Sequence, residues 1–192
     1  MINKKLSIII GVAAALCIAV VVGVWFFWPR EASKNNAPLT YTAFTSDEGF
    51  AADYPNWKKL DITNPAEGMP IDLAARENLK ILLYVTNGAA VVQISERIFP
   101  PKSSFKDNVA FMIKNQRESV KDLLIWRYEV GGATSLLEST SDLNGVKMHT
   151  LSKAFDVGRG KIYSVAFITA DNNYKMFKEI ADHVIYSAKV WR

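Results

Sequence analysis

The side chains that could do chemistry in this chain are few, and their spacing argues against most reactions. Of the two histidines, His149 lies in an alternating run and His183 in a helical one. Neither belongs to an HxH or HxxxH pair, the spacings that aim two imidazoles at one zinc ion from a strand or a helix. Asp156 or Asp182 could join such a site only if the fold brought both histidines together. Ordinary surface or half-buried imidazoles are the expectation. Ser135, Ser139 and Ser141 are nucleophiles by type alone, because no Gly-x-Ser-x-Gly elbow holds any of them. The single cysteine, Cys17, lies inside a long apolar run, which excludes Cys–His catalysis from the remainder. Gly158-Arg159-Gly160-Lys161 lacks the glycine spacing and the Lys-Ser/Thr of a Walker loop, and suits a hairpin turn. Asp47, Glu48 and Asp53 could hold calcium weakly, yet they lack the alternating ligands and glycine of an EF-hand loop, so a solvated turn is expected. No catalytic residue, metal ligand or cofactor is therefore expected, and the chain reads as non-enzymatic.

What remains is binding. Trp57 follows a proline turn and Trp191 is next to last, so both are candidate protein-binding residues, with core packing as the competing reading. Trp126 alternates with Leu124 and Tyr128 and reads as core. Met69, Met112, Met148 and Met176 are adaptable side chains that an apolar pocket for a small ligand or lipid could use, although they suit a core equally well.

The elements that must position these residues begin with a membrane segment. The 23 residues from Leu6 to Trp28 carry no Asp, Glu, Lys, Arg or His. As a helix at about 1.5 Å per residue they reach roughly 35 Å, enough to span a bilayer with some tilt. Trp25, Phe26, Phe27 and Trp28 gather at the far end, where amphipathic rings favour the interface, and Pro29 ends the helix. Lys4 and Lys5 precede the run, which places the N-terminus in the cytoplasm and the rest outside. A cleaved signal peptide would have a shorter apolar run ending in small residues, and lipoprotein processing would need a small residue before Cys17, where Leu16 stands. The expected division is residues 1–5 cytoplasmic, 6–28 a transmembrane anchor, 29–40 a polar linker and 41–192 a single extracytoplasmic domain.

Composition supports a folded domain. The chain of 192 residues is 49% hydrophobic, which excludes disorder and collagen, and one cysteine excludes a disulfide framework. Without Lys4 and Lys5 it has 21 basic and 19 acidic residues and no basic block, so nucleic acid is not an expected partner. Strands are predicted at Tyr41–Phe44 and Phe50–Tyr54 around the turn residues 45–49, with Pro55 ending the second. Leu60 to Asn78, with two prolines and a glycine, reads as a long surface connection. Lys80–Thr86 and Ala89–Ile98 flank Asn87-Gly88, which predicts a two-residue type I′ hairpin with both residues at positive φ. Val92, Ile94 and Ile98 alternate with Gln93, Ser95 and Arg97, the pattern of a half-buried strand.

After Pro100-Pro101, Ser104 and Asp107 make a capping box for a helix that carries Phe105, Val109, Met112 and Ile113 on one face. Further strands are predicted at Leu124–Val130, Lys147–Phe155 and Lys161–Ala170, with Leu136–Thr140 as an added edge strand. A last helix is predicted from an N-cap at Asp171, with Tyr174, Phe177, Ile180, Ala181 and Val184 in one stripe. Strands, helix, strands, helix is the order of an α+β domain with helices on a mostly antiparallel sheet.

This order resembles the PsbP-like family, which includes the extrinsic PsbP subunit of photosystem II, its non-photosynthetic bacterial and archaeal relatives, and the structurally related Mog protein. The resemblance is carried by Asp47-Glu48-Gly49-Phe50 through Tyr54-Pro55-Asn56-Trp57, by Leu143-Asn144-Gly145, by Lys161-Ile162-Tyr163-Ser164-Val165, and by Ile180 to Ser187 with Lys189-Val190. It spans Thr42 to Trp191 and implies an αβα sandwich around an antiparallel sheet. It also implies a protein-binding rather than a catalytic role, while the anchor argues against a photosystem role. The expected function is a single-pass, membrane-anchored module at the cell membrane that binds or helps assemble a protein complex; the alternative is a small-ligand or lipid-binding domain at the membrane surface.

Overall fold

The computed structural model describes residues 39–60, 79–120, 122–143 and 145–191. The expected membrane anchor and nearly all of the expected linker lie outside them, as does most of the expected connection from Leu60 to Asn78. Among the described residues no helix is long and apolar enough to cross a membrane.

The described residues form ten strands and two helices in an α+β fold: β1 (Tyr41–Thr45), β2 (Phe50–Pro55), β3 (Lys58–Lys59), β4 (Leu79–Thr86), β5 (Ala90–Ile98), α1 (Phe105–Ser119), β6 (Leu124–Gly131), β7 (Thr134–Leu143), β8 (Val146–Gly158), β9 (Lys161–Ala170), α2 (Asp171–Ser187) and β10 (Lys189–Val190). Seven strands form an antiparallel sheet in the order β3-β4-β5-β9-β8-β7-β6, and β1-β2-β10 form a smaller one.

The register puts alternate residues of the large sheet on opposite faces. One face carries Leu83, Val92, Leu151, Phe155, Tyr163, Val165 and Phe167, and it packs against α2 through Phe177, Ala181, Val184 and Ile185 and against Phe50 of the small sheet. Phe50 is fully buried, stacked on Tyr163 with ring centroids 5.0 Å apart and edge-on to Phe155 at 5.5 Å. The other face presents Ala154 and Ile162 to Phe105, Val109 and Ile113 of α1. Ser104 is the N-cap of α1 as expected, its Oγ accepting from the Asp107 amide at 3.1 Å, but the capping box is only half formed, because the Asp107 carboxylate accepts from the Ser104 hydroxyl at 2.6 Å and not from the Ser104 amide.

Five local expectations are corrected. Gly88 has φ +89°, but Asn87 stays out of the left-handed region, so the hairpin is not type I′. Instead the Asn87 side-chain oxygen accepts from the amides of Ala89 and Ala90, at 2.9 and 2.8 Å, and the turn closes as an Asx structure. β5 is covered on both faces, with Gln93, Ser95 and Arg97 buried, because α1 covers the face that alternation alone assigns to water. The run predicted as an edge strand at Leu136–Thr140 is the middle of β7, paired on both sides, and β6 is the edge. Ala170, not Asp171, is the N-cap of α2, and no side chain caps it. Trp126 is not core: it stands on the edge strand and is 60% exposed.

The hairpin at Gly158-Arg159-Gly160 holds three successive residues at positive φ, +92°, +56° and +74°. At Gly160 the backbone also comes close to another segment, since the Phe99 amide donates to the Gly160 carbonyl at 2.7 Å and a Cβ would collide with the Phe99 carbonyl. At Gly158 a Cβ would meet nothing. Gly160→Ala is therefore expected to cost about 2 kcal/mol and lower the melting temperature by roughly 4–8 °C. Gly158→Ala should cost clearly less. Equal melting temperatures for the two variants would show that the close approach to Phe99 contributes nothing.

Candidate functional site

The polar groups singled out in the sequence are dispersed rather than gathered. Glu48 lies in the turn between β1 and β2, where one oxygen accepts from Lys161 Nζ and the other from the Tyr163 hydroxyl, both at 2.6 Å. Asp53 instead faces His183 Nε2 at 3.2 Å, and the His183 ring stacks on Tyr41 at 3.8 Å. Asp47, Glu48 and Asp53 therefore share no ligand site. Asp156 accepts from the Gly158 amide, and Asp182 pairs with Lys178 along α2. Ser135, Ser139 and Ser141 pair with Ala154, Thr150 and Met148, on the face opposite His149, so none of the three meets its imidazole.

Hydrogen bonds from Lys161 and Tyr163 hold the Glu48 carboxyl down at about 2. A carboxyl lowered on folding stabilises the fold above its unfolded value, and that contribution is lost as pH falls from the ordinary carboxylate range towards 2. The side chain is partly exposed, so the effect is screened. In acid titrations followed by circular dichroism, wild type should lose stability more steeply than Glu48→Gln over that interval. Parallel curves would deny Glu48 this role.

His149 has the richest surroundings. It is 7% exposed, its Nδ1 lies 3.0 Å from Asp171 Oδ1, and its Nε2 lies 2.9 Å from Glu138 Oε1. The ring stacks on Tyr174 at 3.5 Å between centroids, tilted by 11°. β7 supplies Glu138, β8 supplies His149 and the first turn of α2 supplies Asp171 and Tyr174, so the cluster exists only through long-range pairing. Hydrogen bonds from His149 and then Lys147 hold the Asp171 carboxyl below its usual range, and burial, followed by the Glu138 charge, pushes the Tyr174 phenol up. The two carboxylates approach opposite nitrogens of one ring, so they cannot converge on an ion. Among the described residues no group of three or more such ligands could hold a metal.

The cluster continues to the surface through Lys147, whose Nζ is 3.1 Å from Asp171 Oδ2 and 5.9 Å from the centre of the Trp126 ring. Trp126 Nε1 in turn donates to Thr140 Oγ1 at 3.2 Å. A bulge between Ile125 and Arg127 marks this point of the edge strand. Leu124 and Trp126 are exposed on this face, as is Tyr186 of α2, whose hydroxyl accepts from Arg127 at 3.4 Å, whereas the bulge turns Tyr128 to the α1 side with Leu137. The anchored indole beside a lysine–carboxylate–imidazole network gives this face an apolar centre and a polar surround.

The two tryptophans proposed from sequence lie elsewhere. Trp57 is half-buried against Phe167 and Phe177, at 6.1 and 6.2 Å. Trp191 is 49% exposed, and its amide donates to the Gly49 carbonyl beside β10. Alternation marked Trp126 as one-sided, but not which side was covered.

The solution structure of cyanobacterial PsbP (CyanoP) from Synechocystis sp. PCC 6803 superposes with a TM-score of 0.58, at 15% identity, over 79% of this chain and 93% of that one. The fold is PsbP-like. Two further structures are more distant: a Pseudomonas aeruginosa protein of unknown function (TM-score 0.46, 13% identity, 72% of this chain and 89% of that one) and LpqN, involved in cell envelope biogenesis of Mycobacterium tuberculosis (0.42, 9%, 82% and 94%). No family model and no curated protein matches the chain. Within the PsbP-like fold, the residues that carried the resemblance occupy the β1–β2 turn and β2, the β7–β8 turn, the start of β9, and α2 with β10.

Proposed function

We propose that this chain is a membrane-anchored, extracytoplasmic PsbP-like module that binds a partner protein without catalysis, through the face centred on Trp126. The observation that carries this reading is the exposed indole, fixed by Thr140 and overlain by Lys147, next to the His149 network. Large aromatics held in one rotamer at a surface lose little entropy on binding, which is why they dominate interface energetics. The apolar run at 6–28 supports the anchor, and an anchor raises the effective concentration of the module near membrane partners. No nucleophile–base pair occurs among the described serines and histidines, which supports a binding role.

A photo-cross-linking residue at Trp126 in native membranes should give one specific adduct, and the same residue at Phe111, exposed on α1, should give none. With the partner identified, Trp126→Ala should weaken binding at least about tenfold while leaving the melting temperature nearly unchanged. Identical adduct patterns at both positions would remove this face from consideration.

A further inference from the structure

The face of the large sheet that carries α1 holds a second feature, unconnected to Trp126. Between the C-terminal half of α1 and strands β5, β7, β8 and β9 lies a cavity of about 40 Å³. Gln93 and Gln116 line it, and the side-chain oxygens of both are buried with no hydrogen-bond partner among the described residues. Gln93 is 2% exposed, on a strand at the centre of the sheet. An unsatisfied buried oxygen costs about 1–3 kcal/mol, and two sharing one cavity call for an explanation. The sheet face that carries Gln93 is equally unusual. Ser139, Ser141, Thr150 and Ser152 put four hydroxyls on neighbouring strands, where a covered sheet face would ordinarily be aliphatic.

We infer that this cavity binds the hydroxyl-bearing edge of a neutral polyol or sugar. Three observations define the class. Amide oxygens accept, so the ligand must donate. Among the described residues no charged side chain lines the cavity, so none of them would neutralise an ion taken out of water. Met148 and Ile168 supply an apolar floor, which suits the C–H face of a sugar rather than water alone. At about 10–15 Å³ for each, the volume holds roughly three or four water-sized groups, room for two adjacent hydroxyls. Of the four methionines suggested from sequence for an apolar pocket, Met148 alone lines this cavity, which is more polar than that expectation; Met176 is exposed, and Met69 lies outside the described residues.

The test uses the full chain in phosphocholine micelles with 13C-methyl methionine. Glucose represents a free sugar and octyl glucoside a lipid-borne one; gluconate and glucosamine are charged controls. A saturable shift of the Met148 methyl, with a dissociation constant in the millimolar range, is expected for at least one neutral probe. A response to glucose identifies a free sugar as the source, and a response to octyl glucoside alone identifies a lipid headgroup. Gln93→Leu should weaken that binding at least tenfold without lowering the melting temperature, because it removes an unpaired oxygen at similar volume. Gln116→Leu, at the rim, repeats the test if Gln93→Leu fails to fold. The inference is overturned if neither neutral probe moves Met148 saturably, if the charged probes bind as well, or if a folded leucine variant binds like wild type.

Discussion

Phe50→Ala is expected to cost about 3–5 kcal/mol, a substantial share of the stability of a domain this size. The ring is fully buried and lies where the small sheet meets the large one, stacked on Tyr163 and edge-on to Phe155. Removing it leaves a cavity that β2 cannot close, since β2 is held on both sides by β1 and β10. In chemical denaturation the midpoint should fall with little change in slope. Phe44→Ala provides the contrast, because Phe44 is half-buried and meets Phe50 only at 6.2 Å. Equal losses for the two variants would mean that the small sheet is not fastened through Phe50.

His149→Ala should be the next most damaging change, at about 3 kcal/mol. It removes a ring whose two nitrogens lie within hydrogen-bond distance of two carboxylates and which stacks on Tyr174, and it leaves Glu138 and Asp171 without the imidazole between them. Asp171 retains Lys147, whereas Glu138 keeps only its hydrogen bond with the Tyr174 hydroxyl. Adding Glu138→Gln to His149→Ala should therefore recover part of the loss, a coupling that a double-mutant cycle measures directly. A single-variant cost below about 0.5 kcal/mol would show that solvent already screens the cluster. The same variant should weaken partner binding, since Lys147 reaches Trp126 from the Asp171 it pairs with.

Local chemistry made much of this fold legible. Ser104 and Asp107 announce α1, Gly158 to Gly160 announce the last hairpin, and the spacing of Phe177, Ala181 and Val184 announces the buried stripe of α2. What sequence missed depends on strand order. Nothing near Trp126 says that its strand ends the sheet, and nothing near Gln93 says that a helix covers its outer side. His149 reads as an isolated imidazole until β7 and α2 bring Glu138 and Asp171 to its two nitrogens, from 11 and 22 residues away. Periodicity reports that a strand has two faces; only tertiary pairing decides what covers each.

The small sheet also imposes an order in time. The hairpin of β1 and β2 can close as soon as it is made, but the groups that shelter it arrive late: Glu48 waits for Tyr163, 115 residues further on, and β2 waits for β10. Until then Phe50 and Tyr54 face solvent on a hairpin with two open edges. Contacts of such long sequence separation are paid for in loop-closure entropy before they return any stability, so the domain should fold slowly and be most prone to aggregation early. A nascent chain stalled before Lys161 would thus be the form most in need of a chaperone.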